Sequence, residues 1–341
     1  MNSKRIFPAE WFEQACVQLT WPHKDTDWSN YLSEADECFY NIAKAISERE
    51  KLIIVSRDID RVKQLTIDLN LNNIIYLEIP NNDTWARDHG GITVFQEDRP
   101  IILNFQFNGW GLKFPANLDN QITREMFNKA VFSKNVILEN HLRFVLEGGS
   151  IESDGNGSLM VTSYCLMSKN RNEGLSRVDV ENYLKETLGI ENILWLEHGF
   201  LIGDDTDSHI DTLARFCDEG TICYIKCYDA DDPHHEELAI MEDELKSFKN
   251  LNGENYNLVP LPLPEPIYYN GERLPATYAN FLIINGAVLV PTYNSNKDGE
   301  AIEIFKSIFS SREIIPIDCS VLIRQHGSLH CVTMQYPKGV L

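Results

Sequence analysis

Cys331 lies in Gly327-Ser328-Leu329-His330-Cys331-Val332-Thr333-Met334-Gln335, near the end of a chain of 341 residues. Three acid-rich islands stand far upstream: Trp85-Ala86-Arg87-Asp88, Leu146-Glu147-Gly148-Gly149 and Asp204-Asp205-Thr206-Asp207-Ser208-His209-Ile210-Asp211. A thiol, an imidazole and several carboxylates suit attack on a guanidinium group. Carboxylates match its planar positive fork, and its carbon yields to a thiolate. A guanidinium presents five donors and no acceptor, so two carboxylates can bind its nitrogens and hold its carbon over a thiol.

The elements that must position these residues alternate along the chain. Leu32, Ala35, Phe39, Ile42, Ala43 and Ile46 follow helical spacing, which predicts an amphipathic helix over 30–48. Leu52-Ile53-Ile54-Val55 reads as a buried strand, followed by a helix near 59–69 and a strand over 74–77. Ser176 and Asp179 form a capping-box pattern for a helix that ends at Gly189. Further helices are expected from about 234 to 249 and from 298 to 309, the latter before a strand at 313–317. The apolar stretch 281–290 is broken by Asn285-Gly286 and reads as a hairpin with a primed turn. The recurring order is strand, strand, helix, strand, without a sequence-level repeat. No linker or composition break divides the chain, so a single domain over 1–341 is expected. His209 and Asp211, two apart, face the same way if their segment is extended or a loop.

Composition sets outer bounds. With 43% hydrophobic residues the chain can bury a sizeable core. Its formal charge is −21, from 51 acids against 30 bases, which disfavours a nucleic-acid partner and can concentrate a cationic substrate. The eight cysteines form no disulfide framework, and Cys223 and Cys227 read as strand filler. No stretch is long and apolar enough for a signal peptide or a membrane span. A soluble cytoplasmic protein with reduced thiols is expected.

The motifs together resemble the agmatine deiminase family, within the guanidino-group-modifying superfamily, related to bacterial peptidylarginine deiminases. They run in order from Pro8-Ala9-Glu10-Trp11 and Thr20-Trp21-Pro22-His23 through Trp85-Ala86-Arg87-Asp88 and Phe107-Asn108-Gly109-Trp110-Gly111. They continue through Leu146-Glu147-Gly148-Gly149, Asn170-Arg171-Asn172, the 203–211 acidic loop and Gly271-Glu272-Arg273-Leu274-Pro275-Ala276 to Leu329-His330-Cys331. The resemblance implies an α/β fold, a five-bladed pentein-type propeller of ββαβ units around a central active-site channel. It implies hydrolysis of agmatine to N-carbamoylputrescine and ammonia through a thiouronium intermediate on Cys331, with no metal and no cofactor.

Carried over residue by residue, Cys331 resembles the nucleophile and His209 the general acid/base, a role suited to an imidazole. Glu147 resembles the carboxylate that orients the histidine. Asp88 and Asp211 resemble the pair that grips the guanidinium. Trp85 is the expected aromatic wall, with Trp110 a weaker candidate. Asp205 is the candidate for the substrate's cationic tail. One departure stands out: His326 and Ser328 occupy positions where the family runs to glycine, which bears on substrate preference.

Alternatives remain open on the same residues. The substrate could be arginine or a peptidyl-arginine, for which Arg87 and Arg171 are the residues to inspect as a carboxylate clamp. The chain could be a non-catalytic pentein binding protein. A metal site could be built from Asp207, His209, Asp211 and Cys331. A homo-oligomer, with a dimer favoured, is the general expectation.

Overall fold

In a computed structural model, which describes residues 4–341, one topological unit recurs five times. Two strands pair antiparallel, a helix follows, and a third strand adds parallel to the second. The first such unit joins Ile92–Gln96 and Arg99–Gln106, the helix Ile122–Asn128 and the strand Ile137–Val145. The next uses Ile151–Ser153, Ser158–Thr162, the helix Arg177–Leu188 and Asn192–Leu196. A third uses Ala214–Asp218, Thr221–Lys226, the helix His235–Ser247 and Asn257–Pro262. A fourth uses Leu282–Ile284, Ala287–Thr292, the helix Asp298–Ile308 and Glu313–Asp318.

The fifth unit is shared between the two ends of the chain. Thr333–Pro337 pairs antiparallel with Gln14–Thr20, the helix Leu32–Ser47 follows, and Lys51–Ser56 adds in parallel. Ile74–Glu78 extends this sheet by one more parallel strand. The strand bearing the thiol motif thus folds only when the two ends meet. Each helix lays an apolar face on its sheet: Ala35, Phe39, Ile42, Ala43 and Ile46 are all fully buried.

The sequence expectations fare well at helix ends. Ser176 and Asp179 form a reciprocal capping box, and Gly189 takes the left-handed conformation at φ +76°. Three readings need correction. The helix expected to reach residue 69 spans Ile59–Leu65, because the backbone leaves helical geometry at Thr66, with φ −112° and ψ 16°, while its hydroxyl bonds Val62 O at 2.8 Å. The Asn285-Gly286 turn is not primed: Gly286 has φ +75°, but Asn285 stays outside the left-handed region. Asn285 instead uses its amide to exchange hydrogen bonds with the backbone of Gln14 at 3.0 and 2.9 Å. Primed geometry appears at Glu97-Asp98 and Asn270-Gly271, where both central residues have positive φ. Finally, His209 and Asp211 are not on an extended segment. Asp211 lies in the one-turn 3-10 helix Ile210–Thr212, and His209 caps it.

Candidate active site

Each of the five sheet units is entered through a short segment that carries a polar side chain. Asp88 stands in the one-turn helix Ala86–His89, just ahead of Ile92–Gln96. Glu147 precedes Ile151–Ser153, Asp211 precedes Ala214–Asp218, Asn280 precedes Leu282–Ile284, and Cys331 precedes Thr333–Pro337. Residues far apart in sequence converge because each unit presents the same topological position.

Two of them, Asp88 and Cys331, open onto a cavity of about 110 Å3. Asp27, Asp83, Asp88, Asp205, Trp85, Trp110, Phe114 and Cys331 line it, with Thr206, Gln325, His326 and Gly327. Among the described residues this lining holds four carboxylates and no Lys or Arg. Trp28 and Trp85 both donate their indole N–H to Asp83, at 2.9 and 3.0 Å.

The two carboxylates expected to grip a guanidinium are themselves held. Asp88 accepts from Gly149 N at 3.0 Å and from Trp110 Nε1 at 2.9 Å. Asp211 Oδ2 accepts from His330 Nδ1 at 2.7 Å, while the buried Oδ1 has no hydrogen-bond partner among the described residues. Cys331 Sγ lies 3.8 Å from Asp211 Oδ2 and 3.4 Å from Asn280 Oδ1. Asn280 also accepts from the backbone N–H of His330 at 2.8 Å and donates to Asp211 O at 3.2 Å. It ties the thiol loop to the Asp211 turn.

His209 is fully buried between two acids. Its Nδ1 is 3.6 Å from Asp88 Oδ1 and its Nε2 is 3.8 Å from Glu147 Oε2. Arg171 Nε binds both oxygens of Glu147, at 3.0 and 2.8 Å, and its outer nitrogens reach Asp207 and Thr206 O. Gly149 packs against the convergence point. A Cβ there would lie 2.6 Å from His209 Nδ1, 2.8 Å from Asp88 Oδ1 and 3.1 Å from Asp211 Oδ2.

Electrostatics divide these groups. Burial opposes charge on His209, but the Asp88 carboxylate, Cys165 and Glu147 outweigh it and hold the imidazole well above its usual value. Burial pushes Asp88 up to about 6, against the pull of His209. Burial also raises Glu147 and Asp211, but their cationic neighbours leave both below the usual carboxylate range. Burial, then Asp211 and Asp88, push the Cys331 thiol well above its usual value. A buried thiol beside two carboxylates keeps its proton until a cation arrives.

The expected residues are thus one connected set. Trp85, Asp88, Asp205 and Cys331 line the cavity, and Asp211, His209 and Glu147 lie directly behind it. Trp110 proves as close to the site as Trp85, since it lines the cavity and bonds Asp88. Arg87 and Arg171 offer no clamp for a substrate carboxylate: Arg87 faces Glu10 at 3.4 Å, and Arg171 is committed to Glu147 and Asp207. The metal set with Asp207 is not assembled, because Asp207 bonds Arg171 and Lys113. His326 does face the cavity, with φ +67° and Nδ1 at 2.7 Å from Gly203 O. Sequence reasoning missed Asn280, Asp83, Asp27 and the role of His330. Asn280 could have been sought as the fifth member of the recurring pre-strand position.

This geometry can be set beside known proteins. The family model for Porphyromonas-type peptidyl-arginine deiminase matches residues 6–337. The chain belongs to that family. Among its relatives, a Porphyromonas gingivalis structure named provisionally as an arginine deiminase is 53% identical, with a TM-score of 0.96 over 99% of this chain and 100% of that one. A cysteine-to-serine variant of C. jejuni agmatine deiminase with substrate bound is 37% identical, with a TM-score of 0.93 over 99% and 97% of the two chains. A Vibrio parahaemolyticus protein named provisionally as an agmatine deiminase is 35% identical over 97% of this chain and 96% of its own. The mixed α/β fold is common to this deiminase family member and those structures. No helix among the described residues is long and apolar enough to cross a membrane.

Proposed function

We propose that this chain hydrolyses agmatine to N-carbamoylputrescine and ammonia. Its family makes it a hydrolase of guanidino carbon–nitrogen bonds. The narrower reading rests on one observation: the cavity that opens onto Cys331 is lined by four aspartates and by no Lys or Arg. A guanidine with a second positive charge and no carboxylate complements that lining.

In this mechanism Asp88 and the free Oδ1 of Asp211 accept the guanidinium N–H groups. The bound cation offsets the two carboxylates, and the Cys331 thiol passes its proton to solvent. The thiolate attacks the guanidinium carbon to form a tetrahedral adduct. His209, held charged by Asp88 and Glu147, protonates the nitrogen that leaves as ammonia. A thiouronium remains on Cys331. Water deprotonated by His209 attacks its carbon, and the C–S bond breaks to release the ureido product and regenerate the thiol. Orientation and fixed charge supply most of the acceleration.

The same reading takes the chain as one deiminase domain whose five sheet units close as a pentein-type propeller. The shared sheet of the two chain ends supports it, as does the five-fold recurrence of site-bearing segments.

The test incubates purified protein with agmatine, arginine and a peptidyl-arginine, with Cys331→Ala as control, and assays ammonia and ureido product. Agmatine turnover that is lost in the variant is expected. Turnover of arginine or the peptide alone would overturn the substrate assignment. Turnover by Cys331→Ala would overturn the nucleophile.

A further inference from the structure

A second buried thiol stands beside the imidazole of His209. Cys165 lies in the one-turn helix Ser163–Leu166, and its Sγ is 4.0 Å from Glu147 Oε2. The same oxygen is 3.8 Å from His209 Nε2. One donor atom from each of Glu147, Cys165 and His209 lies within 4.8 Å of the other two, and all three residues are buried. Among the described residues His209 Nε2 has no hydrogen-bond partner, an uncommon state for a buried ring nitrogen.

Tetrahedral zinc, with bonds of roughly 2.0 Å to nitrogen and oxygen and 2.3 Å to sulfur, sets its ligand atoms roughly 3.3–3.6 Å apart. The observed separations of 3.8 and 4.0 Å are within a small side-chain adjustment of that arrangement. We propose that Glu147, Cys165 and His209 form an inhibitory site for a borderline-soft divalent cation of the zinc class, separate from the Cys331 nucleophile.

The donor set selects the metal. One thiolate, one imidazole and one carboxylate favour zinc over the oxygen-seeking magnesium and calcium. Three protein ligands leave a fourth position open. Arg171 does not close the site to a cation. It binds Glu147 through Nε at 2.8 and 3.0 Å, and a carboxylate has about four acceptor positions. Asp207 balances its charge. On binding, the Cys165 thiol proton and any proton on His209 Nε2 pass to solvent. His209 fixed to a metal can no longer carry protons, so turnover stops while Cys331 stays free.

Metal binding by these three residues does not depend on which guanidine is the substrate. Metal-stripped wild type, Cys331→Ala, Cys165→Ser and Cys165→Ala would be titrated with Cd2+, following thiolate-to-metal charge-transfer absorption. Zn2+ binding would be measured by equilibrium dialysis and turnover in parallel. Wild type and Cys331→Ala are expected to take up one metal with the absorption band. The Cys165 variants should lose the band and bind Zn2+ more weakly by at least roughly 10–100-fold. Zinc X-ray absorption of the Cys331→Ala protein should read one sulfur, the rest nitrogen and oxygen, a result that needs no Cys165 variant to fold. A band that survives loss of Cys165 and vanishes in Cys331→Ala would overturn the proposal, as would two sulfurs on the zinc or no band in wild type. A protein that binds metal in this way but hydrolyses no guanidine would leave the site standing and sink the substrate reading instead.

Discussion

His330 Nδ1 lies 2.7 Å from Asp211 Oδ2, and the opposite nitrogen, Nε2, lies 2.7 Å from Glu10 Oε2. An ionised carboxylate only accepts, so a ring nitrogen that bonds one does so as the donor. Burial and the guanidiniums of Arg215 and Arg87 push the ring's pKa down, and the two short contacts work against them. The consequence for the site is orientation: with Oδ2 occupied, Asp211 is left to present Oδ1. His330→Ala should strand Asp211 Oδ2, whereas Glu10 Oε2 keeps the guanidiniums of Arg215 and Arg87 at 3.0 and 3.4 Å. An unsatisfied buried partner costs about 1–3 kcal/mol, or roughly 5–150-fold in kcat/KM. Most of that loss should appear in KM, because Asp211 is placed to bind the substrate. A His330→Ala protein with wild-type KM would show that the ring does not position Asp211.

Gly149 is the position where the least added volume should do the most harm. A methyl group there would sit 2.6 Å from His209 Nδ1 and 2.8 Å from Asp88 Oδ1, inside contact distance of both. Gly149→Ala must move one or both groups. A displacement near 1 Å costs on the order of 100-fold in rate. Thermal unfolding should change far less than turnover, since the clash is with side-chain tips and not backbone. Comparing the two would decide: near-wild-type kcat in a folded Gly149→Ala protein would mean that His209 and Asp88 need not converge.

These details were out of reach of the sequence for definite reasons. Helix 32–47 was legible because an apolar stripe at helical spacing admits few alternatives, and Gly189 because only glycine enters the left-handed region cheaply. Cys331, His209, Glu147, Asp88 and Asp211 were legible through motifs whose joint order carries the information. Asn280 was not, because Thr277-Tyr278-Ala279-Asn280 resembles an ordinary turn until the five pre-strand positions are compared. Nor was the pairing of Thr333–Pro337 with Gln14–Thr20, which no local pattern encodes. The Asn285-Gly286 turn misled because its dipeptide favours primed geometry in isolation, whereas here the asparagine amide is taken by Gln14.

The cavity should lose its attraction for cations in mildly acidic solution. Burial pushes Asp83, Asp88 and Asp205 each up to about 6. A carboxylate with a raised pKa is charged only above that value, so protonation sets in as pH falls through about 6. Each proton removes a negative charge facing the substrate. With three groups titrating together, kcat/KM should fall by more than roughly tenfold per pH unit below that point. The decline should be steeper for agmatine than for an alkylguanidine without the terminal amine, and Asp205→Asn should narrow that difference. Profiles for both substrates between about pH 5 and 8 would test it. A flat kcat/KM across that window would show that these acids stay ionised or do not face the substrate.

Cys331 should react with cations in preference to neutral electrophiles. Burial, Asp211 and Asp88 all hold its thiol well above the usual pKa, so the free protein near neutrality presents S–H and not thiolate. A cationic haloacetamidine placed against the same two carboxylates offsets their charge at the moment of reaction. The thiolate then forms, attacks the halomethyl carbon and expels halide. Neutral iodoacetamide brings no charge and meets the protonated thiol. A thiol pKa lowered by about two units gives roughly 100-fold more thiolate, and the selectivity over iodoacetamide should reach that order after correction for the same pair reacting with free cysteine. Asp88→Asn and Asp211→Asn should each erode this selectivity while making the neutral reagent faster, since removing a carboxylate also removes a cause of the raised pKa. Mass spectrometry of the modified peptide reads the site directly. Equal labelling by both reagents in wild type, or unchanged selectivity in both Asp variants, would mean that Cys331 is ionised without its substrate and that the carboxylates play no part in activating it.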